Sequence, residues 1–156
     1  MLTGTGKIYA IPFSSDSVLI IDPATNKVDI TTITGLTSQD HKWAGGVLAS
    51  NGNIYGIPYN SEVVLIIDPA TNTVDITSIT GLSGGAKWAF GTLADNGKIY
   101  GMIVNVASVL IIDPAANTAD TTTITGLGGN EWRGTVLAPN GKIYGIPLYN
   151  RIGANH

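Results

Sequence analysis

The chain has 156 residues, 12% of them charged, and a formal net charge of −3, so it offers neither the basic stripe that phosphate neutralisation needs nor an acidic tail, and no nucleic-acid partner is expected. It has no cysteine, which excludes disulfides and thiolate metal sites and leaves the redox compartment open. The longest unbroken apolar runs, such as Val63 to Ile67, are five residues long against roughly 20 for a membrane helix, so a soluble chain without membrane insertion is expected.

Almost every residue belongs to a repeat of 44 to 46 positions, marked by Asp-Pro-Ala at Asp22, Asp68 and Asp113 and by Trp43, Trp88 and Trp132. A period of this size means one supersecondary unit used several times, each unable to cover its apolar face until a neighbour stacks on it. One array over 1–156 is expected, with units at about 1–35, 36–81 and 82–126, a partial unit at 127–149 and a tail at 150–156. Met1 to Gly6 lack the cationic start and apolar stretch of a signal peptide.

In chain order, Met1 to Thr3 reads as the stub of an inner strand and opens the first of three cycles of four strand signals. The second cycle shows them best. Ala44 to Ala49 is small and apolar, suited to an inner strand where backbones crowd. Asn51-Gly52 predicts a type I′ hairpin turn and recurs as Asn96-Gly97 and Asn140-Gly141. Ile54 to Tyr59 follows, with Pro58 marking the strand end because it cannot donate to a ladder. Val63 to Asp68 is continuously apolar, the pattern of a strand covered on both faces. Asp68 to Asn72 supplies a Pro-containing turn with side chains able to bond their own backbone. Val74 to Thr80 alternates and is Thr-rich, as an outer strand should be, with a phase slip at Thr77-Ser78 that predicts a bulge. After the third cycle only Trp132 to Ala138 and Lys142 to Leu148 remain, as an inner and a second strand, giving fourteen candidates in all.

Four antiparallel strands graded from small and inner to polar and outer, repeated at about 45 residues, predict an all-β chain folded as a β-propeller of four-stranded blades, with three full repeats and partial strands at the termini. An antiparallel β-solenoid ranks lower, because its coils are shorter and lack this gradient. Val63 to Thr80, preceded by Ile54-Tyr55, resembles the YVTN-type propeller repeats of bacterial surface and secreted proteins, which share an Ile-Asp-Pro-Ala-Thr-Asn turn. Trp132 to Tyr144 is similar to the repeat of tachylectin-2-like lectins. The first likeness implies an extracellular or cell-surface setting, the second a carbohydrate ligand.

Propellers have about four to eight blades, and three cannot close a ring. A homo-oligomer that completes the ring is therefore expected, most simply a dimer, with Trp132 to Leu148 finishing a sheet begun by another copy; a piece of a longer array is the competing explanation. Turns at one end of the ring are nearly identical between copies, whereas the linkers before each Trp differ in length and charge, so function is expected on the Trp-side loops.

There, Asp40, His41 and Lys42 form a cluster mixing acid, base and cation, but neighbours in a loop rarely face each other and no Ser or Cys nucleophile motif accompanies them, so a surface loop is the favoured reading. Asp22, Asp68 and Asp113 could be imagined as a carboxylate ring, yet their Asp-Pro setting favours a turn-forming role, and no calcium-loop spacing is present. No metal or cofactor is expected. Trp43, Trp88 and Trp132, with Lys42, Lys87 and Arg133 beside them, are the candidates for ligand contact, since an indole stacks on a sugar and keeps a polar handle. Packing between blades is the alternative that their position favours, and Tyr9, Tyr55, Tyr100 and Tyr144 recur in the same manner. The expected function is a non-catalytic binding or scaffold module with itself, a carbohydrate or another protein as partner. A lectin-like glycan binder is second, and a hydrolase or lyase third, because the chain holds two histidines in all.

Overall fold

The computed structural model describes residues 1–128 and 130–150. Thirteen strands lie among them, paired antiparallel in four sheets. The first sheet holds β1 (Ile8–Ala10), β2 (Leu19–Asp22) and β3 (Lys27–Asp29). The second runs in the order β4 (Trp43–Leu48), β5 (Ile54–Pro58), β6 (Leu65–Asp68) and β7 (Thr73–Asp75). The third repeats this with β8 (Trp88–Leu93), β9 (Ile99–Ile103), β10 (Leu110–Asp113) and β11 (Thr118–Asp120). The fourth has two strands, β12 (Asn130–Leu137) and β13 (Ile143–Asn150). The stub at Met1 to Thr3 is a single bridge, Leu2 to Ile8, which accounts for thirteen strands where fourteen are expected.

The Leu-Ile-Ile run of each repeat is the middle of the stack because both its faces are apolar. Leu65 and Ile67 join Tyr9, Val18 and Ile20 in the cluster between the first and second sheets. Ile66 points the other way, into the cluster that holds Trp88, Leu110 and Ile112. Inner strands approach closely, and this is what the small residues of Ala44 to Ala49 provide: a Cβ on Gly45 would lie 2.6 Å from the Ala89 carbonyl oxygen of the next sheet.

Three local features differ from expectation. The Asn-Gly turns are not type I′, because only the glycine has positive φ, +87° at Gly52. The Gly52 N–H donates to Ala49 O and the Ala49 N–H to Asn53 O, the bonding of a type I turn closed by a left-handed glycine. The outer strand is three residues long, not seven. Asp75 ends it by accepting the N–H groups of Thr77 and Ser78 at 2.7 and 3.0 Å, and Asp29 and Asp120 do the same in their repeats. The phase slip at Thr77-Ser78 is therefore a strand end, and the bulges lie in the inner strands, between Trp43 and Gly45 and between Trp88 and Phe90.

Candidate functional site

The two ends of the sheets differ in chemistry. At the end carrying the Asn-Gly and Asp-Pro turns, side chains serve the backbone. Asp22, Asp68 and Asp113 each accept the N–H of the residue two positions on, at 2.8 to 3.0 Å, as their turn-forming reading requires. Tyrosines then tie one repeat to the next: Tyr9 donates to Asn72 Oδ1 at 2.6 Å, and Tyr55 contacts Pro114 O and Asn117 Oδ1 at 3.4 Å.

At the opposite end, the residues picked from the sequence separate into two groups. Trp43 and Trp88 are 1% and 3% exposed, and their indole N–H groups donate to Val63 O at 2.8 Å and Ser108 O at 2.7 Å. Neither leaves a face for a ligand; both pack between sheets. Lys42 and Lys87 are buried beside them, against the expectation of ligand-facing cations. The Lys42 ammonium donates to Ser15 O and Gln39 O, and that of Lys87 to Tyr59 O, Ser61 O and Gly84 O, at 2.7 to 3.2 Å. Each lysine thus joins the linker before its own sheet to a loop of the preceding one. Burial holds both ammonium groups below the ordinary lysine pKa.

His41 sits at φ +56° and stacks on Phe13, with ring centroids 4.6 Å apart, while Tyr59 meets it edge-on at 6.4 Å. Asp40, next in sequence, instead helps Gln39, Asn60 and Glu62 line a groove of about 860 Å³ between two linkers. The aromatic group continues across the loop end. Tyr59 also borders a hollow of about 280 Å³ with Phe90, Val104, Trp132, Arg133 and Leu148. Trp132 is only half-buried and Arg133 is exposed, so these two sequence candidates are brought together at an open surface. Phe13, Tyr59 and Phe90 were not legible as site residues, because copies differ at those positions: Val104 and Leu148 stand where Phe13 and Tyr59 do, and Gly45 where Phe90 does.

Trp132 also borders a larger slot of about 540 Å³ between the third and fourth sheets, whose apolar wall includes Tyr100, Ile103, Val109, Ile124 and Ile143. The position is that filled between the earlier sheets by the Leu-Ile-Ile strand of the following repeat. Among the described residues there is no group of three or more His, Asp or Glu that could hold a metal ion, and no helix long and apolar enough to cross a membrane.

No protein-family model matches the chain, and no curated protein does. Solved structures match its fold. Virginiamycin B lyase from Staphylococcus aureus has a TM-score of 0.73 at 12% identity, over 94% of this chain and 47% of that one. The extracellular domain of a hybrid two-component system from B. thetaiotaomicron has a TM-score of 0.69 at 15% identity, over 96% of this chain and 20% of that one. The fold is a β-propeller. An auxiliary nutrient binding protein from Bacteroides ovatus matches with a TM-score of 0.64 at 18% identity, over 94% of this chain and 35% of that one. This propeller chain therefore spans less than half the length of each of the three.

Proposed function

We propose that this chain is a binding or scaffold module without catalytic activity, part of a propeller whose ring is completed by a second copy. The observation that carries the reading is the apolar slot between the third and fourth sheets, whose counterparts earlier in the stack are filled. Exposed apolar surface of this kind marks an interaction site. Absence of catalysis is supported by what the ionisable groups do: Asp22, Asp68 and Asp75 bond neighbouring backbone, the two buried lysines bond carbonyls, and His41 stacks on Phe13. A secreted or cell-surface setting accords with the extracellular domain among the similar structures. Light scattering on the eluting chain tests the reading: a mass near twice 16.2 kDa is expected, and a monomer overturns it.

A second reading is favoured by the hollow lined by Tyr59, Phe90, Trp132 and Arg133. Half-exposed rings with a cation beside them suit the apolar face and hydroxyls of a sugar. Sugar-dependent quenching of Trp132 fluorescence is the expected sign, and no response to any sugar removes the reading.

A further inference from the structure

The third sheet turns a half-covered apolar face toward the fourth, and the first sheet turns a matching one away from the second. Leu65 and Ile67 of β6, and Leu110 and Ile112 of β10, are at 0% exposure because each pair packs on the preceding sheet. Leu19 and Ile21 hold the same place in β2 and are only half-buried. Ile111, whose counterpart Ile66 is covered by the third sheet, is half-buried as well.

The tyrosine ties show the same vacancy from the other side. Tyr9 and Tyr55 each reach a prolyl carbonyl and an asparagine side chain in the next repeat's turn. The Tyr100 hydroxyl, bonded to Asn96, stands at the slot instead. Finally, the strand that would pair with an incoming β2 is written twice. Ile143-Tyr144-Gly145-Ile146-Pro147 repeats Ile8-Tyr9-Ala10-Ile11-Pro12, and β13 has only β12 beside it among the described residues. Of the two versions, β13 fits β2 better. Leu65 and Leu110 lie opposite Gly56 and Gly101, with Cβ atoms 3.0 and 3.1 Å from where a glycine Cβ would stand. Leu19 lies opposite Ala10 in β1, whereas β13 offers Gly145.

We infer that two copies exchange their terminal strands: β12 and β13 of each enter the first sheet of the other, displace β1 and pair with β2 in the register that β1 holds. Tyr144 then lies opposite the partner's Ile20 and Gly145 opposite the partner's Leu19. The partner's Leu19 and Ile21 fill the slot, and Tyr100 reaches the partner's Pro23 carbonyl and Asn26 side chain. Two whole sheets from each chain and two shared ones make a closed, twofold ring of six four-stranded blades, within the range of about four to eight that propellers adopt.

The inference rests on the ring-completion reading, and its test is separable from it. The chain has no cysteine, so an Ile20→Cys, Tyr144→Cys variant has no competing thiol. The Tyr9 N–H donates to Met1 O, and Met1 donates to Tyr9 O, so both Tyr9 backbone groups point away from β2 and Tyr9–Ile20 is a non-hydrogen-bonded pair. In such pairs the side chains stand closest, at a separation a disulfide can span. Under mild oxidation a covalent dimer is expected on a non-reducing gel. A second comparison does not depend on that variant folding: Tyr144→Ala should lower the melting temperature of the dimer while Tyr9→Ala leaves it nearly unchanged, although Tyr9 is at 0% exposure and Tyr144 at 49% in the single chain. A dimer by light scattering that fails to cross-link, or that loses as much with Tyr9→Ala as with Tyr144→Ala, overturns the exchange and leaves ring completion standing. A monomer overturns both.

Discussion

Replacing Lys87 by Met keeps most of the side chain's length and removes its charge and all three donors. In the structure the ammonium is fully buried and donates to Tyr59 O, Ser61 O and Gly84 O. Tyr59 O also accepts the Lys87 backbone N–H at 2.9 Å, so it keeps a partner in the variant. Ser61 O and Gly84 O lose the donor they have. A buried acceptor left unpaired costs about 1–3 kcal/mol, and relief from burying an ammonium offsets part of two such losses. A net destabilisation of about 2–4 kcal/mol is expected. At roughly 2 kcal/mol per molar urea for a small domain, the unfolding midpoint should fall by about 1–2 M with unchanged slope. Lys98→Met is the control: its ion pair with Asp113, at 2.5 Å, has side chains 41% and 28% exposed and should contribute less than about 1 kcal/mol. Urea titrations followed by far-UV circular dichroism measure both variants. If Lys87→Met and Lys98→Met lose the same small amount, the buried lysine is not an inter-sheet tie and the reasoning fails.

Gly45→Ala places a methyl group 2.6 Å from the Ala89 carbonyl oxygen, whereas the nearest atom to a Cβ on Gly134 is 3.9 Å away. The first should lose about 1–3 kcal/mol and the second little, read by thermal melts; equal losses would refute close approach of the inner strands. The Thr and Ser groups around Asp75 and Asp120 hold these carboxyls at about 2, below the ordinary 3.8. A carboxyl lowered on folding stabilises fully above its unfolded value and loses this as pH falls through the folded one. Melting temperature should therefore drop between pH 4 and pH 2, and less so in Asp75→Asn; a wild-type profile flat across that window contradicts the assignment. In an isolated chain, before a partner fills the slot, acrylamide should quench Trp132 before Trp43 or Trp88, because their exposures are 1% and 3% and Trp132 is half-buried. Single-tryptophan variants measure this, and equal quenching would place all three at the surface.

The fold was legible because its punctuation repeats. Asp68-Pro69 could only be a turn, and Val63 to Ile67 could only be covered on both faces, so the order of strands in each sheet followed from pattern alone. Hairpin type did not follow, since Asn51-Gly52 supports either turn and the choice depends on where the two strands' ladder begins. Strand length was missed for a similar reason. Asp75 reads as one more polar residue in an alternating run, but its carboxylate competes for the N–H groups that would have continued the ladder. The candidate site was half legible. Repetition pointed to Trp43, Trp88, Lys42 and Lys87, and repetition marks packing; the aromatic surface that varies between copies, Phe13, Tyr59 and Phe90, carries no such mark. A buried lysine is also opposite to what residue type suggests, and only the convergence of carbonyls from two loops reveals it.

The tyrosine contacts all run the same way along the stack, from Tyr9 to Asn72 and from Tyr55 to Asn117. A row of latches with one orientation has a fast end and a loose end, so cooperativity should be graded rather than uniform. In an isolated chain, amide hydrogens of β12 and β13 should exchange with deuterium first, those of the third sheet next, and those of β5 and β6 last.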